Sequence, residues 1–127
     1  MYKILIVEDQ KEVLELIDIT LKKPDITILH AHNAEEAINI ANNYLPDLII
    51  MDIMMPGPMN GIDATRILKK SRKTKEIIIL LISCNDQIAE IEKGYKSGAD
   101  GYFFKPFSPI ELMNKIEQIL NTQKIPS

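Results

Sequence analysis

LIIMDIMMPGPMNG, residues 48–61, is the stretch that decides the fold. It begins with four apolar residues, reaches Asp52, and continues as a loop rich in proline and glycine. A short apolar run closed by turn residues is typical of a strand buried on both faces, although the pattern also fits a buried helical turn. As a strand, it would place Asp52 at its carboxyl end, where open α/β sheets bind their ligands.

The composition is that of one soluble domain. The chain has 127 residues, of which 46% are apolar and 26% charged, and its formal net charge of −3 gives no reason to expect direct binding to nucleic acid. There is no signal-peptide pattern and no apolar run of membrane-spanning length, and the single Cys84 excludes an intrachain disulfide. We therefore expect a cytoplasmic protein. Five cations within residues 69–75 are interpreted as a solvated helix end.

Apolar runs and helical patterns alternate along the whole chain. Five strand patterns each precede a helical pattern, and the connections are too short for anything but helical crossovers. This alternation predicts a parallel sheet with helices on both faces. We assign residues 1–122 to the domain and 123–127 to a polar tail. The predicted strands are 3–7, 26–31, 48–51, 77–82 and 102–104.

Capping signals mark several helix starts. Asn33 with Glu36, and Ser108 with Glu111, have the spacing of a capping box. The fourth helix is predicted from about residue 85 to Gly98, where a glycine ends it. Helical spacing puts its inner face at Ile88, Ile91 and Tyr95.

Polar residues follow each predicted strand, and in a parallel sheet they converge on one edge. Neighbouring strands lie about 4.8 Å apart, so these groups can reach a single ion or phosphoryl group. Three crowded carboxylates repel one another unless a cation compensates, and hard oxygen donors suit Mg²⁺. The converging residues are Glu8 and Asp9, His30 and His32, Asp52, Ser83, and Lys105.

The chain resembles, over essentially its whole length, the receiver domain of two-component response regulators, including the chemotaxis regulators. Each matching motif is weak alone, but five in order at predicted strand ends are specific. The resemblance implies an α/β fold: a flavodoxin-like, doubly wound, five-stranded parallel sheet in the order 2-1-3-4-5 with five helices. The motifs are VED at 7–9, DIMMP at 52–56, Ser83, GADGY at 98–102 and KPF at 105–107.

The same resemblance assigns the chemistry to Asp52. As phosphoacceptor, it would take a phosphoryl group from a sensor histidine kinase or a histidine phosphotransfer protein. Asp9, Asp52 and the backbone carbonyl of Met54 would ligate Mg²⁺ directly, and Glu8 would act through a water. The domain would then be a phosphoacceptor in phosphorelay signalling, not an enzyme.

Switching is also implied by the resemblance. Ser83 and Lys105 would bind the phosphoryl group, and Ser83 with Tyr102 would report it to the face formed by helix 4, strand 5 and helix 5. That face would contact an output domain or a downstream protein. Lys115 and Asp100 lie where dimerising receivers of the transcription-factor type often carry interface charges, but Gly101 replaces a second acid. We therefore expect a monomer or a weak phosphorylation-dependent dimer. The resemblance separately implies a cis peptide bond between Lys105 and Pro106.

Four alternative interpretations fit the residues less well. A Mg²⁺-dependent phosphatase of the haloacid-dehalogenase type generally has a second aspartate two residues after its nucleophile, where this chain has Met54. A flavodoxin-like flavin carrier needs a phosphate-binding loop rich in Ser, Thr and Gly, where this chain has EDQKE at 8–12. A pseudo-receiver, which only binds partners, would not need the intact set of acidic residues, Ser83 and Lys105. His30 and His32 could suggest a metal pair, but no further soft ligands accompany them, so we expect a polar role at the strand end.

Overall fold

The computed structural model describes residues 2–84 and 88–123, without the side chains of the last two. Within these ranges five strands alternate with five helices, and the strands pair in parallel in the order β2-β1-β3-β4-β5. The predicted fold is therefore confirmed. The elements are β1 (Tyr2–Val7), α1 (Lys11–Leu21), β2 (Ile26–Ala31), α2 (Ala34–Tyr44), β3 (Leu48–Asp52), α3 (Gly61–Lys70), β4 (Ile78–Ser83), α4 (Ile88–Lys96), β5 (Gly101–Phe104) and α5 (Pro109–Gln123).

The central strand β3 is buried along its whole length, as the sequence predicted. Successive side chains of a strand point to opposite faces, so β3 contributes Ile49 and Met51 to one core and Leu48 and Ile50 to the other. The first core is covered mainly by α2 and α3, and the second by α1 and α5. Helices on both faces leave only the strand ends for polar groups.

One of the two predicted capping boxes is complete. Ser108 Oγ accepts a hydrogen bond from Glu111 N at 3.1 Å, and the Glu111 carboxylate accepts one from Ser108 N at 3.3 Å. At α2, the Asn33 side chain accepts from Glu36 N at 2.8 Å, but the Glu36 carboxylate accepts from His32 N instead of Asn33 N. Glu36 Oε1 also lies 3.1 Å from His32 Nδ1, and this contact accounts for the Glu36 carboxylate facing His32 and not Asn33 N.

Two predicted boundaries fall near residues that the structure does not describe. Helix α5 extends through Gln123, the first residue assigned to the tail, and residues 124–127 lie outside the described ranges. The predicted start of the fourth helix at about residue 85 also lies outside them, and the described part of α4 begins at Ile88.

The predicted inner face of α4 is confirmed for Ile91, which packs against the first core, but it is wrong for Ile88 and Tyr95. Ile88 is 73% exposed and Tyr95 48% exposed, while Ile91 is partly buried. The buried residue of α4 is Gly94, whose backbone lies directly against Leu81 and the ring of Tyr102. This close backbone approach rotates the larger apolar side chains on either side of Gly94 toward solvent.

Of the five cations within residues 69–75, four are exposed and only Lys69 is partly buried. The Lys69 ammonium donates to Asp100 Oδ2 at 2.9 Å and to the backbone carbonyls of Ile77 and Lys75 at 2.6 and 3.2 Å. Asp100 Oδ2 also accepts from Ile79 N at 2.9 Å. Lys69 therefore links the end of α3 to the starts of β4 and β5, and Asp100 has a role inside the domain that the sequence did not reveal.

Helix α3 begins against the end of β3. Asn60 and Asp63 form a reciprocal capping box at its start, and Gly61 N donates to Ile53 O at 2.9 Å. A Cβ atom on Gly61 would collide with the backbone oxygen of Asp52 and lie 2.9 Å from the Ile53 Cα. Only glycine allows this approach, which fixes the backbone that carries Asp52.

We expect Gly61→Ala to lower the free energy of unfolding by about 1–3 kcal/mol, because the added methyl forces the start of α3 away from the strand end. Intrinsic helix propensity would act in the opposite direction, by about 1 kcal/mol in favour of alanine. Urea denaturation measures the difference, with Ile67→Ala on the exposed side of α3 as a control. Unchanged or increased stability of Gly61→Ala would show that the two elements can separate freely.

Candidate functional site

The carboxyl ends of the strands are held in line by backbone hydrogen bonds. Glu8 N donates to Ala31 O at 3.0 Å, joining the residue after β1 to the end of β2. Ile53 N donates to Ile82 O at 3.0 Å, and Lys105 N to Ser83 O at 2.9 Å. These bonds fix the backbone of the residues that the sequence predicted to converge.

Lys105 lies between two buried carboxylates. Its ammonium is 2.9 Å from Glu8 Oε1 and 3.4 Å from Asp52 Oδ2. Glu8 and Asp52 are only 1% and 4% exposed. Lys105 was assigned to the phosphoryl group, and here its closer partner is Glu8, which the strand order alone could not reveal.

Backbone N–H groups hold the other carboxylate oxygens. Gln10 N donates to Glu8 Oε2 at 3.2 Å, and Met54 N donates to Asp52 Oδ1 at 3.3 Å. Across the described residues, every buried side-chain nitrogen and oxygen atom has a hydrogen-bond partner. Both acids are thus oriented by the chain itself.

The charges at this edge do not balance. Burial, followed by the negative charge of Glu8, raises the pKa of Asp52 to about 7, and Lys105 offsets this only in part. Burial lowers the pKa of Lys105, but its hydrogen bond to Glu8 and the charge of Asp52 outweigh that effect and raise it above its ordinary value. The lysine is therefore cationic at neutral pH, while the Asp52 carboxylate lacks sufficient positive charge.

A cation would supply that charge. Glu8, Asp9 and Asp52 each offer a carboxylate oxygen, and these oxygens lie within 4.8 Å of one another. Asp9 is exposed, so the cluster opens to solvent on one side. Three hard oxygen donors with room for water fit Mg²⁺. Met54 is beside them and 66% exposed, and its carbonyl as a further ligand stays a prediction.

His30 and His32 are not part of this cluster. His30 Nε2 lies 2.6 Å from Asp18 Oδ2 on α1, and His32 Nδ1 lies 3.1 Å from Glu36 Oε1 on α2. Each histidine therefore joins the end of β2 to a neighbouring helix. The sequence did not reveal these acidic partners. Asp18 is distant from His30 in the sequence, and Glu36 was predicted to take part in the cap of α2.

Ser83 and Tyr102 are in contact. Ser83 is buried at the end of β4, and its side chain is hydrogen-bonded to the Tyr102 side chain. Tyr102 is 7% exposed, and its ring centroid lies 5.2 Å from that of Phe104 and 6.4 Å from that of Tyr95. Burial raises the pKa of the Tyr102 hydroxyl, so it stays protonated at neutral pH. The cis bond between Lys105 and Pro106 is confirmed.

The sequence that carries these acids, the lysine and the hydroxyl matches a known family. A family model described as the response regulator receiver domain matches residues 4–117. The chain belongs to this family. The receiver-domain chain is 32% identical over 118 residues to the phosphate regulon transcriptional regulatory protein PhoB of Escherichia coli (strain K12), which covers 93% of this chain and 51% of PhoB. It spans about half the length of the curated relatives it matches.

Solved receiver structures share the fold. The signal receiver domain of a histidine kinase from Syntrophus aciditrophicus has a TM-score of 0.88 and 28% identity, covering 100% of this chain and 96% of its own. The chemotaxis protein CheY4 of Vibrio cholerae has a TM-score of 0.87 and 27% identity, covering 94% and 99%. In the described part of this receiver domain, no helix is both long and apolar enough to cross a membrane.

The raised pKa of Asp52 predicts a pH-dependent stability. Between pH 4 and 7 the native state holds a proton on Asp52 that the unfolded chain has lost, so this group makes stability fall as pH rises. Without divalent cations, Asp52→Asn should therefore be more stable than the wild type at pH 8, by about 1–3 kcal/mol, and differ little at pH 4.

Urea denaturation at the two pH values measures this difference. Asp25→Asn, which changes an exposed carboxylate, is the matched control and should show no such gain. Equal stability of Asp52→Asn and wild type at pH 8 would mean that Lys105 already neutralises the site.

Proposed function

We propose that this receiver domain accepts a phosphoryl group on Asp52 from a sensor histidine kinase or a histidine phosphotransfer protein, in a Mg²⁺-dependent reaction. The observation that carries the proposal is a carboxylate 4% exposed at the end of β3, with a lysine ammonium 3.4 Å away and two further acids beside it. Membership of the receiver family supports the same function.

The reaction is a single displacement at phosphorus. An oxygen of the Asp52 carboxylate attacks, a P–O bond forms, and the P–N bond to the donor imidazole breaks, leaving the electron pair on the imidazole nitrogen. The N–H of Met54 holds Asp52 Oδ1 and thereby orients the carboxylate. Lys105, already beside Oδ2, can donate to a phosphoryl oxygen as charge builds there.

Metal binding follows from the donor set. Asp9, Asp52 and the Met54 carbonyl would hold Mg²⁺ directly, and Glu8 would act through a water. Mg²⁺ held by these residues would offset the negative charge of the transferring phosphoryl oxygens. Glu8 keeps Lys105 at the site through its 2.9 Å contact, so the lysine does not have to be recruited from solvent.

Phosphorylation would be read out through Ser83 and Tyr102. If the Ser83 hydroxyl turns toward the phosphoryl group, its hydrogen bond to Tyr102 changes, and the α4-β5-α5 face changes with it. Exposed apolar residues on this face include Tyr95 and Phe104. An output domain or a downstream protein would bind there. The domain then acts in the cytoplasm as a phosphoacceptor, without turning over a free substrate.

Asp52 should be the sole phosphorylated residue. Incubation with acetyl phosphate and Mg²⁺ should add one phosphoryl mass to the wild type and none to Asp52→Asn, as measured by intact-protein mass spectrometry. Asp25→Asn, an exposed aspartate outside the site, should be labelled like the wild type. Equal labelling of Asp52→Asn and wild type would refute the assignment.

Mg²⁺ should raise the melting temperature of the unphosphorylated domain, because a ligand that binds only the native state stabilises it. At 100 times its dissociation constant the gain is about 2.7 kcal/mol. Asp9→Ala should remove most of the Mg²⁺-dependent shift in calorimetric melting, whereas Asp25→Ala should keep it. A shift that survives Asp9→Ala would locate the ion elsewhere.

A further inference from the structure

Gly94 is the point where the backbone of α4 touches the sheet. It is the buried residue of α4, between the exposed side chains of Lys93 and Tyr95. A Cβ atom on Gly94 would lie 2.9 Å from Leu81 Cδ1, and 3.2 and 3.4 Å from Cε2 and Cδ2 of the Tyr102 ring. The contact at 2.9 Å requires the end of the Leu81 side chain to shift, and the contact at 3.2 Å requires the Tyr102 ring to move by a few tenths of an ångström, whereas 3.4 Å is an ordinary contact distance.

The two neighbours of Gly94 differ in their freedom to move. Leu81 is 0% exposed in the middle of β4 and is packed on all sides. Tyr102 lies at the margin of the same core, 7% exposed, and its ring contacts the rings of Tyr95 and Phe104. Tyr95 and Phe104 are 48% and 40% exposed, so this margin opens to solvent. If the space at Gly94 is filled, both the end of Leu81 and the Tyr102 ring must shift, and Tyr102 is the one of the two with room to move toward solvent.

We propose that Gly94 is a positioning residue that keeps the Tyr102 ring inside the domain, so that the ring and the α4 backbone move as one element. This inference rests on the proposed function of Tyr102 as the switch residue. On one side, the ring is joined to Ser83 by a hydrogen bond. On the other, it lies against the Gly94 backbone with no side chain between them.

The absence of a side chain matters for the coupling. A larger residue at position 94 would occupy the volume that the inward ring needs, and the outward position would be favoured whatever happens at Asp52. With glycine, the inward ring and a close α4 stabilise each other. A partner that pulls α4 from the sheet through Ile88 or Tyr95 therefore also releases the ring, and the effect is reciprocal between sites.

The test uses Gly94→Ala in protein labelled with 3-fluorotyrosine. The sequence has four tyrosines, and Tyr102→Phe identifies the Tyr102 signal in the fluorine NMR spectrum. In unphosphorylated wild type this signal should show little change between H₂O and D₂O, as a buried ring does. In Gly94→Ala it should show a solvent-dependent shift clearly larger than in the wild type. On addition of beryllofluoride, its further change should fall several-fold relative to wild type.

Gly101→Ala is the matched control. It adds the same methyl at an equally crowded glycine next to Tyr102, but toward Ile119 and Leu80 on the opposite face of the sheet. Its Tyr102 signal should stay buried. A buried Tyr102 signal in Gly94→Ala, or an equal displacement in Gly101→Ala, would overturn the inference.

Two further measurements keep the result interpretable. If Gly94→Ala does not fold, the double variant Gly94→Ala/Leu81→Val removes the Leu81 contact, retains the contacts with the ring, and carries the same expectation. Acetyl-phosphate labelling of Gly94→Ala should stay within about threefold of wild type, because Asp52 is not touched. The solvent shift is measured without phosphoryl groups, so it tests the Gly94 contact even if labelling were to disprove the role of Asp52.

Discussion

Two buried carboxylates that share one lysine are the constraint on which the rest of this structure depends. Glu8 and Asp52 would repel each other strongly in a dry site, and Lys105 compensates only one charge, lying closer to Glu8. Removing a charge from water costs several kcal/mol unless it is paired, so the domain carries a destabilising group at its most buried strand. A fold tolerates such an uncompensated charge where a bound ligand can neutralise it. This uncompensated negative charge is the physical basis of the cation site that we propose, and a cation bound there would in turn offset the charge of an incoming phosphoryl group.

The rigid surroundings prevent Asp52 from moving to a place where its negative charge would be better compensated. The strand ends are tied together by backbone hydrogen bonds, and the start of α3 is packed so tightly on the end of β3 that only hydrogen fits at Gly61. If Asp52 could turn toward solvent, its pKa would relax and its carboxylate would lose its orientation. Helices on both faces remove that freedom. A doubly wound sheet therefore suits this chemistry because its polar groups are confined to one edge.

Much of this could be predicted from the sequence, because the strands are short apolar runs that end in the functional residues. Asp52, Ser83 and Lys105 each follow such a run, and parallel pairing brings strand ends together whatever the side chains are. The strand order came from the family resemblance, since periodicity does not choose between neighbours. Contacts that depend on side-chain reach were not predictable: Lys105 favouring Glu8, Lys69 engaging Asp100, and His30 meeting Asp18.

The error at α4 has a particular physical cause. Helical spacing identifies apolar residues on one stripe and assumes that the largest of them face the core. At α4 the helix backbone itself packs against the sheet. Gly94 therefore occupies the inner position, and Ile88 and Tyr95 turn outward. A hydrophobicity pattern has no signal for such an approach, because glycine contributes almost nothing to it. Because Gly94 occupies this position, the described part of α4 buries little apolar area. A helix held by few apolar contacts can be displaced at low energetic cost, which is what the switch that we propose at Ser83 and Tyr102 requires.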